Sequence, residues 1–302
     1  MPTLRRCCLA ALLMVGAGLA PWMQAQSPGY GMGMTGHGPG NVPETLAARV
    51  HTDVTCARLL DVSGEWTAPG APAHAGGSLS DLELTLGGGY AESEDTWIGG
   101  TGRYVDAAAT VSGTWANRVL FTLTAGHERY WHGDTFRTTD EFVDVVALYR
   151  VNANIAVGPF VEMSVGDTEA TGLPDGGSTR WASGLILALN WDVGFANIGL
   201  TNALASMNKR NFNDLFDNTD TALAHQLDVY VPVGEHFSVT PYAYYYALLD
   251  TEREIDNDYF IVGVDLGYRV SAQWRLSVGY DRYVANEHYD QDRYTAGVTY
   301  TF

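Results

Sequence analysis

Eight carboxylates stand at alternate positions of short runs whose other face is apolar: Glu83, Asp106, Glu128, Asp144, Glu162, Asp228, Asp265 and Asp281. Arg150, Arg269, Arg275 and Arg293 share that polar face. Acids turned toward one water-filled passage attract cations and repel anions. The simpler role for the same charges is to pair and stiffen an interior. Tyr242, Tyr244 and Tyr246 alternate in the same way. They offer either stacking faces for a sugar or nucleoside ring or bulk that fills a narrow space.

Other spellings invite chemistry and carry less. His236-Phe237-Ser238 has a base two residues from a hydroxyl. A nucleophilic triad is defined by geometry, and the sequence supplies no third member beside it. Glu128 with His127 and His132 forms an acid/base-like group next to aromatic residues. Met32, Met34, His37, His51 and Cys56 are soft-metal ligand types, suited to Cu(I). Glycine-rich spacing explains that composition better. Gly87-Gly88-Gly89 lies inside a strand-like run, which reads as tight packing or curvature and not as a phosphate loop. No catalytic residue, metal site or cofactor is expected.

The elements that would position the acids begin at residue 79. Twelve runs alternate with the strand period, over 80–91, 103–115, 118–130, 140–151, 154–165, 180–192, 194–206, 221–233, 236–249, 258–270, 273–285 and 292–302. Each is long enough for a tilted strand that crosses a bilayer. Ala116-Asn117, Asn152-Ala153, Asp192-Val193, Gly234-Glu235 and Ser271-Ala272 make short turns. Long polar loops fill the other gaps, over 92–102, 131–139, 166–179, 208–220, 250–257 and 286–290. Ten or fourteen strands remain alternatives, because 80–115 is the least regular part. Outward sets are Val119/Phe121/Leu123, Ile155/Val157/Val161/Met163, Leu185/Leu187/Leu189 and Phe260/Val262/Val264/Leu266, and the face opposite is read as polar and small. Trp97, Trp115, Trp181, Trp191 and Trp274 fall near run ends and predict two aromatic girdles. Pro241 lacks a donor and predicts a bulge or a membrane edge.

What precedes the runs is different in kind. Arg5 and Arg6, the apolar stretch Cys7–Ala20 and the small residues around Ala25 predict a secretory signal over 1–25. Without it the chain has one cysteine, Cys56, so an intramolecular disulfide is excluded. The balance becomes 17 − 2 = 15 basic against 35 acidic residues, or 15 − 35 = −20. Such a charge argues against a nucleic-acid partner. Residues 26–78 are Gly/Pro-rich with a candidate amphipathic helix over 43–62, carrying Leu46, Val50, Val54 and Leu60 on one stripe. A periplasmic helix or disorder is the favoured reading of that stretch, and a plug in the lumen the alternative. No apolar run of about 20 residues follows the signal, so no membrane helix is expected.

The last run settles the class. In Arg293–Phe302 the residues Tyr294, Ala296, Val298, Tyr300 and Phe302 share one face and the chain ends on Phe. This resembles the closing strand of Gram-negative outer-membrane β-barrels, and the resemblance covers about residues 79–302. It implies an all-β, antiparallel, up-and-down transmembrane barrel of about twelve strands, with both termini periplasmic. It also implies recognition of Tyr300 and Phe302 by the barrel assembly machinery, and contact with outer-membrane lipid and lipopolysaccharide. Known twelve-strand groups are nucleoside channels, acidic-sugar porins, autotransporter translocator domains and outer-membrane phospholipase. No motif selects one. The acidic face disfavours the arginine-lined sugar porins. The expected role is a narrow, cation-preferring, porin-like channel without enzymatic activity. The alternatives are a non-conducting structural or interaction barrel and, further off, a lipid-active enzyme. Acidic loop groups such as Glu92/Glu94/Asp95, Asp250/Glu252/Glu254/Asp256/Asp258 and Glu287/Asp290/Asp292 are solvated surface first and sites for divalent cations second.

Overall fold

In the computed structural model every element among the described residues is a strand: β1 (Leu79–Asp95), β2 (Thr101–Trp115), β3 (Val119–His132), β4 (Phe136–Arg150), β5 (Ile155–Ala170), β6 (Gly176–Asp192), β7 (Asn197–Asn211), β8 (Phe216–Val233), β9 (Phe237–Leu248), β10 (Tyr259–Arg269), β11 (Trp274–Asn286) and β12 (Tyr289–Thr301). The described residues are 79–95, 101–116, 118–132, 136–170, 176–211, 216–248, 259–286 and 289–302. The expected signal, the Gly/Pro-rich stretch with its candidate helix, Trp97 and the acidic residues 250–258 lie outside them. Each strand pairs antiparallel with the next, and β12 pairs with β1, so the sheet is a closed barrel of twelve strands. Closure leaves no edge with unpaired backbone groups, which is the condition for a sheet to sit in hydrocarbon.

The side-chain period follows. Leu123, Val143, Val145, Met163, Leu185, Leu187, Leu266 and Val278 are exposed on the outer face. Their neighbours in sequence are buried or half-buried on the inner face. Trp274 packs on Tyr300 with centroids 4.8 Å apart, and Tyr300 on Phe302 at 4.9 Å, at the rim where the short turns lie. Tyr280 and Tyr294, at 5.4 Å, mark the opposite end of the belt.

Three expectations need correction. The strands run further toward the long-loop end than the apolar alternation does: β3 continues to His132, β5 to Ala170, and β8 starts at Phe216. Both faces are polar there, so hydropathy loses the period while the ladder persists. Outward pairs such as Arg103–Glu92 (3.9 Å) and Arg137–Glu169 (3.6 Å) bridge adjacent strands in that zone. Much of each expected loop is therefore strand. The short turns, in contrast, are wider than two residues. In residues 193–196 the Asp192 carboxylate accepts from Gly194 N at 2.7 Å, and Gly194 takes φ +86°. In residues 270–273 the Ser271 hydroxyl accepts from the backbone N–H of Gln273 and Trp274, both at 3.2 Å. These side chains satisfy turn donors that no strand partner reaches. Finally, Pro241 makes no bulge. Its register with Val264 is regular, but the ladder to β8 is missing between Asp228↔Tyr242 and Val231↔Val239. Pro159 leaves the same gap in β4–β5, between Val146↔Phe160 and Tyr149↔Val157. A missing donor removes bonds without shifting register.

Candidate functional site

The inner face divides into two sectors. The polar sector runs over β10–β12 and β1–β3. Its centre is an ion pair across the closure of the barrel. Arg293 on β12 reaches over β1 to Asp106 on β2, with Nη2 2.6 Å from Oδ2 and both side chains buried. The strand between contributes Gly89. A Cβ there would stand 2.8 Å from Asp106 Oδ2 and 2.9 Å from Arg293 Nε, so only glycine leaves the path open. The middle residue of the Gly87-Gly88-Gly89 run is equally tight, because a Cβ at Gly88 would lie 2.6 Å from the Asp106 carbonyl oxygen. The same device recurs at Gly263 on β10, where Tyr242 Oη donates across it to Asp281 Oδ2 at 3.3 Å. Below the ion pair, toward the short turns, threonines face each other across three joints. Thr85 and Thr299 share a hydrogen bond of 3.0 Å, and Thr110 and Thr124 one of 3.1 Å.

The acids fall as follows. Asp106 and Glu128 are register neighbours on β2 and β3, and Asp144 and Glu162 on β4 and β5; all four are buried. Asp228 is buried and accepts from Gln226 Nε2 at 2.8 Å. Asp281 is buried opposite Arg293, and Asp265 is half-buried in register with Thr240 and Gly279. Glu83 accepts from Thr301 Oγ1 at 3.1 Å near the short-turn rim. Arg150, Arg269 and Arg275 stand at that rim, with Arg269 exposed and the other two half-buried. Tyr242 and Tyr244 are buried on the inner face of β9, whereas the Tyr246 side chain lies outside the description.

The other sector overturns the expectation of a polar, small inner face throughout. Leu120, Val146, Leu148, Ala156, Ile186 and Ala188 form one buried cluster, joined by Phe160 and Ala203. Ala205, Ala222, Tyr242, Tyr244 and Ile261 form a second, joined by Phe160 and Ala224. The signal was present in Gly184–Trp191, which reads Gly-Leu-Ile-Leu-Ala-Leu-Asn-Trp. There alternation fails because both faces are apolar.

The remaining candidates disperse. His236 sits exposed in the β8–β9 turn, with Nδ1 3.0 Å from the Arg269 carbonyl oxygen, and Ser238 is the second residue of β9. Glu128 faces inward while His127 is exposed outward, so that group is divided by the wall. Glu92 accepts from Tyr90 Oη at 2.5 Å, and Asp292 from Tyr280 Oη at 2.6 Å. No group of three or more His, Cys, Asp or Glu among the described residues is placed to hold a metal. The N-terminal Met, His and Cys residues lie outside the description. One feature was missed from sequence: Asn202, His225 and Tyr245 stand in direct register on the outer face of β7, β8 and β9. His225 Nδ1 lies 2.6 Å from Asn202 Oδ1 and the ring stacks on Tyr245 at 6.3 Å. A single His in an apolar run gives no such hint without the register.

Neither the family models nor the curated proteins give any match to this sequence. Solved structures do. The chain is similar to the translocator domain of the autotransporter NalP from Neisseria meningitidis, with a TM-score of 0.55 at 13% identity, covering 85% of this chain and 98% of that one. It is equally similar to an outer membrane channel from Pseudomonas putida F1, with a TM-score of 0.55 at 14% identity over 78% of this chain and 100% of that one. The β domain of the Bordetella autotransporter BrkA gives 0.53 at 12% identity over 74% and 100%. The fold is that of an outer-membrane β-barrel. Identities this low fix the architecture alone, so what this barrel does has to come from its own inner face.

Proposed function

We propose that the chain is an outer-membrane barrel that forms a narrow diffusion channel favouring cations and small neutral solutes, without enzymatic activity. The short-turn end and both termini face the periplasm in this reading. Its support is the sign of the charge at mid-barrel. Asp106, Glu128, Asp144, Glu162, Asp228 and Asp281 are buried on the inner face, and Arg293 is the buried arginine beside them. That arginine is already bound to Asp106. The other three arginines stand at the short-turn rim, where they meet ions before or after the passage. A low-dielectric wall focuses the field of such acids and raises local cation concentration. A barrel of twelve strands lies between the filled eight-strand and the open sixteen-strand cases.

The test is single-channel recording of residues 26–302 refolded into planar bilayers under a salt gradient. Discrete steps with a reversal potential of cation-selective sign are expected. The combined change Asp144→Asn, Glu162→Gln, Asp228→Asn and Asp265→Asn should move that potential toward zero. Anion-selective steps, or no steps from a folded barrel with or without residues 26–78, would remove the channel reading. The weight would then pass to a structural barrel working through its polar rim.

A further inference from the structure

Two polar side chains stand on the outer face where hydrocarbon is expected. Asn202 lies on β7 between the outward Leu200 and Leu204, and His225 on β8 between the outward Leu223 and Leu227, while their neighbours Thr201 and Gln226 are buried on the inner face. Ile198, near the short turn, and Ser206, toward the long loops, are each four residues from Asn202. Four residues of a strand tilted by about 40° climb about 10 Å along the barrel axis. The apolar band of such a barrel is about 25 Å tall, so Asn202 sits near its middle and headgroups at either edge stay out of reach. The pair satisfies itself in part. His225 Nδ1 donates to Asn202 Oδ1 at 2.6 Å, and Tyr245 on β9 stacks on the imidazole at 6.3 Å. With Nδ1 as the donor, Nε2 of the neutral ring is an acceptor, and the Asn202 amide nitrogen keeps its N–H donors. No described residue meets either of these two atoms. Lipid tails offer neither donor nor acceptor.

We infer that a second copy of this chain docks on the outer face of β7–β9, making a twofold dimer within the membrane. Three observations select this occupant. The first is depth. Two copies inserted in the same sense present Asn202 and His225 at the same level, and a twofold axis along the membrane normal sets the one patch against the other. The second is complementarity. The patch carries both a donor, the Asn202 amide, and an acceptor, His225 Nε2, so the donor of each copy meets the acceptor of the other. Such reciprocal pairing needs no second kind of protein. The third is the shape of the wall. Pro241 and Ala243, the outward residues of β9 next to Tyr245, are short, so a facing barrel can come close. In the dimer the two polar groups leave hydrocarbon for each other, which is how polar side chains join membrane segments. The inference goes beyond the channel reading and does not rest on it, because the contact lies outside the lumen.

The experiment uses residues 26–302 folded in phosphatidylcholine vesicles, with benzoylphenylalanine, which inserts into C–H bonds on illumination, in place of Leu204. Leu204 is outward and exposed beside Asn202. Illumination should give a covalent dimer in at least about tenfold higher yield than the same group at Val278, an exposed outward residue of β11. Adding Asn202→Leu and His225→Leu should cut the Leu204 yield at least about tenfold, since the bonds that join the copies are gone. Leucine suits a lipid-facing position, so this variant should still show the gel mobility of a folded barrel. Equal yields at the two positions, or a Leu204 yield that the double change leaves intact, would overturn the proposal. So would monomer alone at both positions, which would assign the patch to a different protein or to none. A second arm needs no illumination. Energy transfer between copies labelled at Cys56, the single thiol of residues 26–302, should persist to at least about tenfold greater dilution in lipid than in the double variant. The same dilution midpoint for both would overturn it as well. Neither arm depends on conduction, so a dimer that passes no ions would sink the channel reading alone.

Discussion

Removing one partner of the Arg293–Asp106 pair should be among the most damaging single changes to the barrel. The pair is 2.6 Å long and its side chains are 3% and 4% exposed. At an effective dielectric constant of about 20, unit charges about 4 Å apart attract by about 4 kcal/mol. Removing one partner of a buried pair costs about 3–5 kcal/mol, because the other charge is left without solvent. The two ends differ. Arg293 also faces Asp281 in register, so Asp106→Asn leaves the arginine a carboxylate, at a cost of about 3 kcal/mol. Arg293→Met leaves Asp106 and Asp281 buried together and should cost about 4–5 kcal/mol. The double change removes both charges, and its cost should fall short of the sum by about 2 kcal/mol or more. Urea unfolding from vesicles, followed by tryptophan fluorescence and by the gel-mobility difference between folded and unfolded barrels, measures all four corners. A coupling below about 0.5 kcal/mol would show that the pair contributes nothing specific, and the reasoning from burial would fail.

Other changes test other parts of the wall. Thr124→Val deletes the bond to Thr110 and should cost about 1 kcal/mol in the same unfolding experiment. Gly158→Ala places a Cβ against the Ala147 carbonyl oxygen, where backbone has to move, and should cost about 1–3 kcal/mol. Ala116, at φ +52°, is a left-handed non-glycine residue in the β2–β3 turn, so Ala116→Gly should raise stability by about 1 kcal/mol. Trp274→Ala removes the ring pair with Tyr300 and should lose about 1 kcal/mol beyond its buried area, read as a lower urea midpoint.

The strand count and the sense of the two faces were legible because hydrocarbon outside and polar groups inside impose a period of two. Tyr294, Ala296, Val298 and Tyr300 show it without interruption. Two parts were not legible, for opposite reasons. Beyond the apolar belt, at Glu92, Arg103, Asp167 or Asp292, both faces are polar, so the period vanishes from hydropathy while backbone pairing continues. Around Leu120, Leu148 and Ile186 both faces are apolar, and the outward residues alone were assigned. Asp106, Glu128, Asp144, Glu162, Asp228 and Asp281 are buried on the inner face, but nothing in the sequence shows that Asp106 meets Arg293. Their meeting depends on Gly89, a residue on neither of the two strands that carry the charges.

That glycine-spanned contact also sets an order of events. Asp106 and Arg293 are 187 positions apart, and Thr85 and Thr299 are 214 apart. Every other joint of the wall is made between strands consecutive in the chain and can zip up locally. The joint between β12 and β1 has to wait until the sheet has curled far enough to bring its two outermost strands together, and it bears the largest loss of chain freedom. The charge pair and the Thr85–Thr299 bond beside it thus act as the clasp that fastens last. A barrel lacking them would spend longer as an open, adhesive sheet.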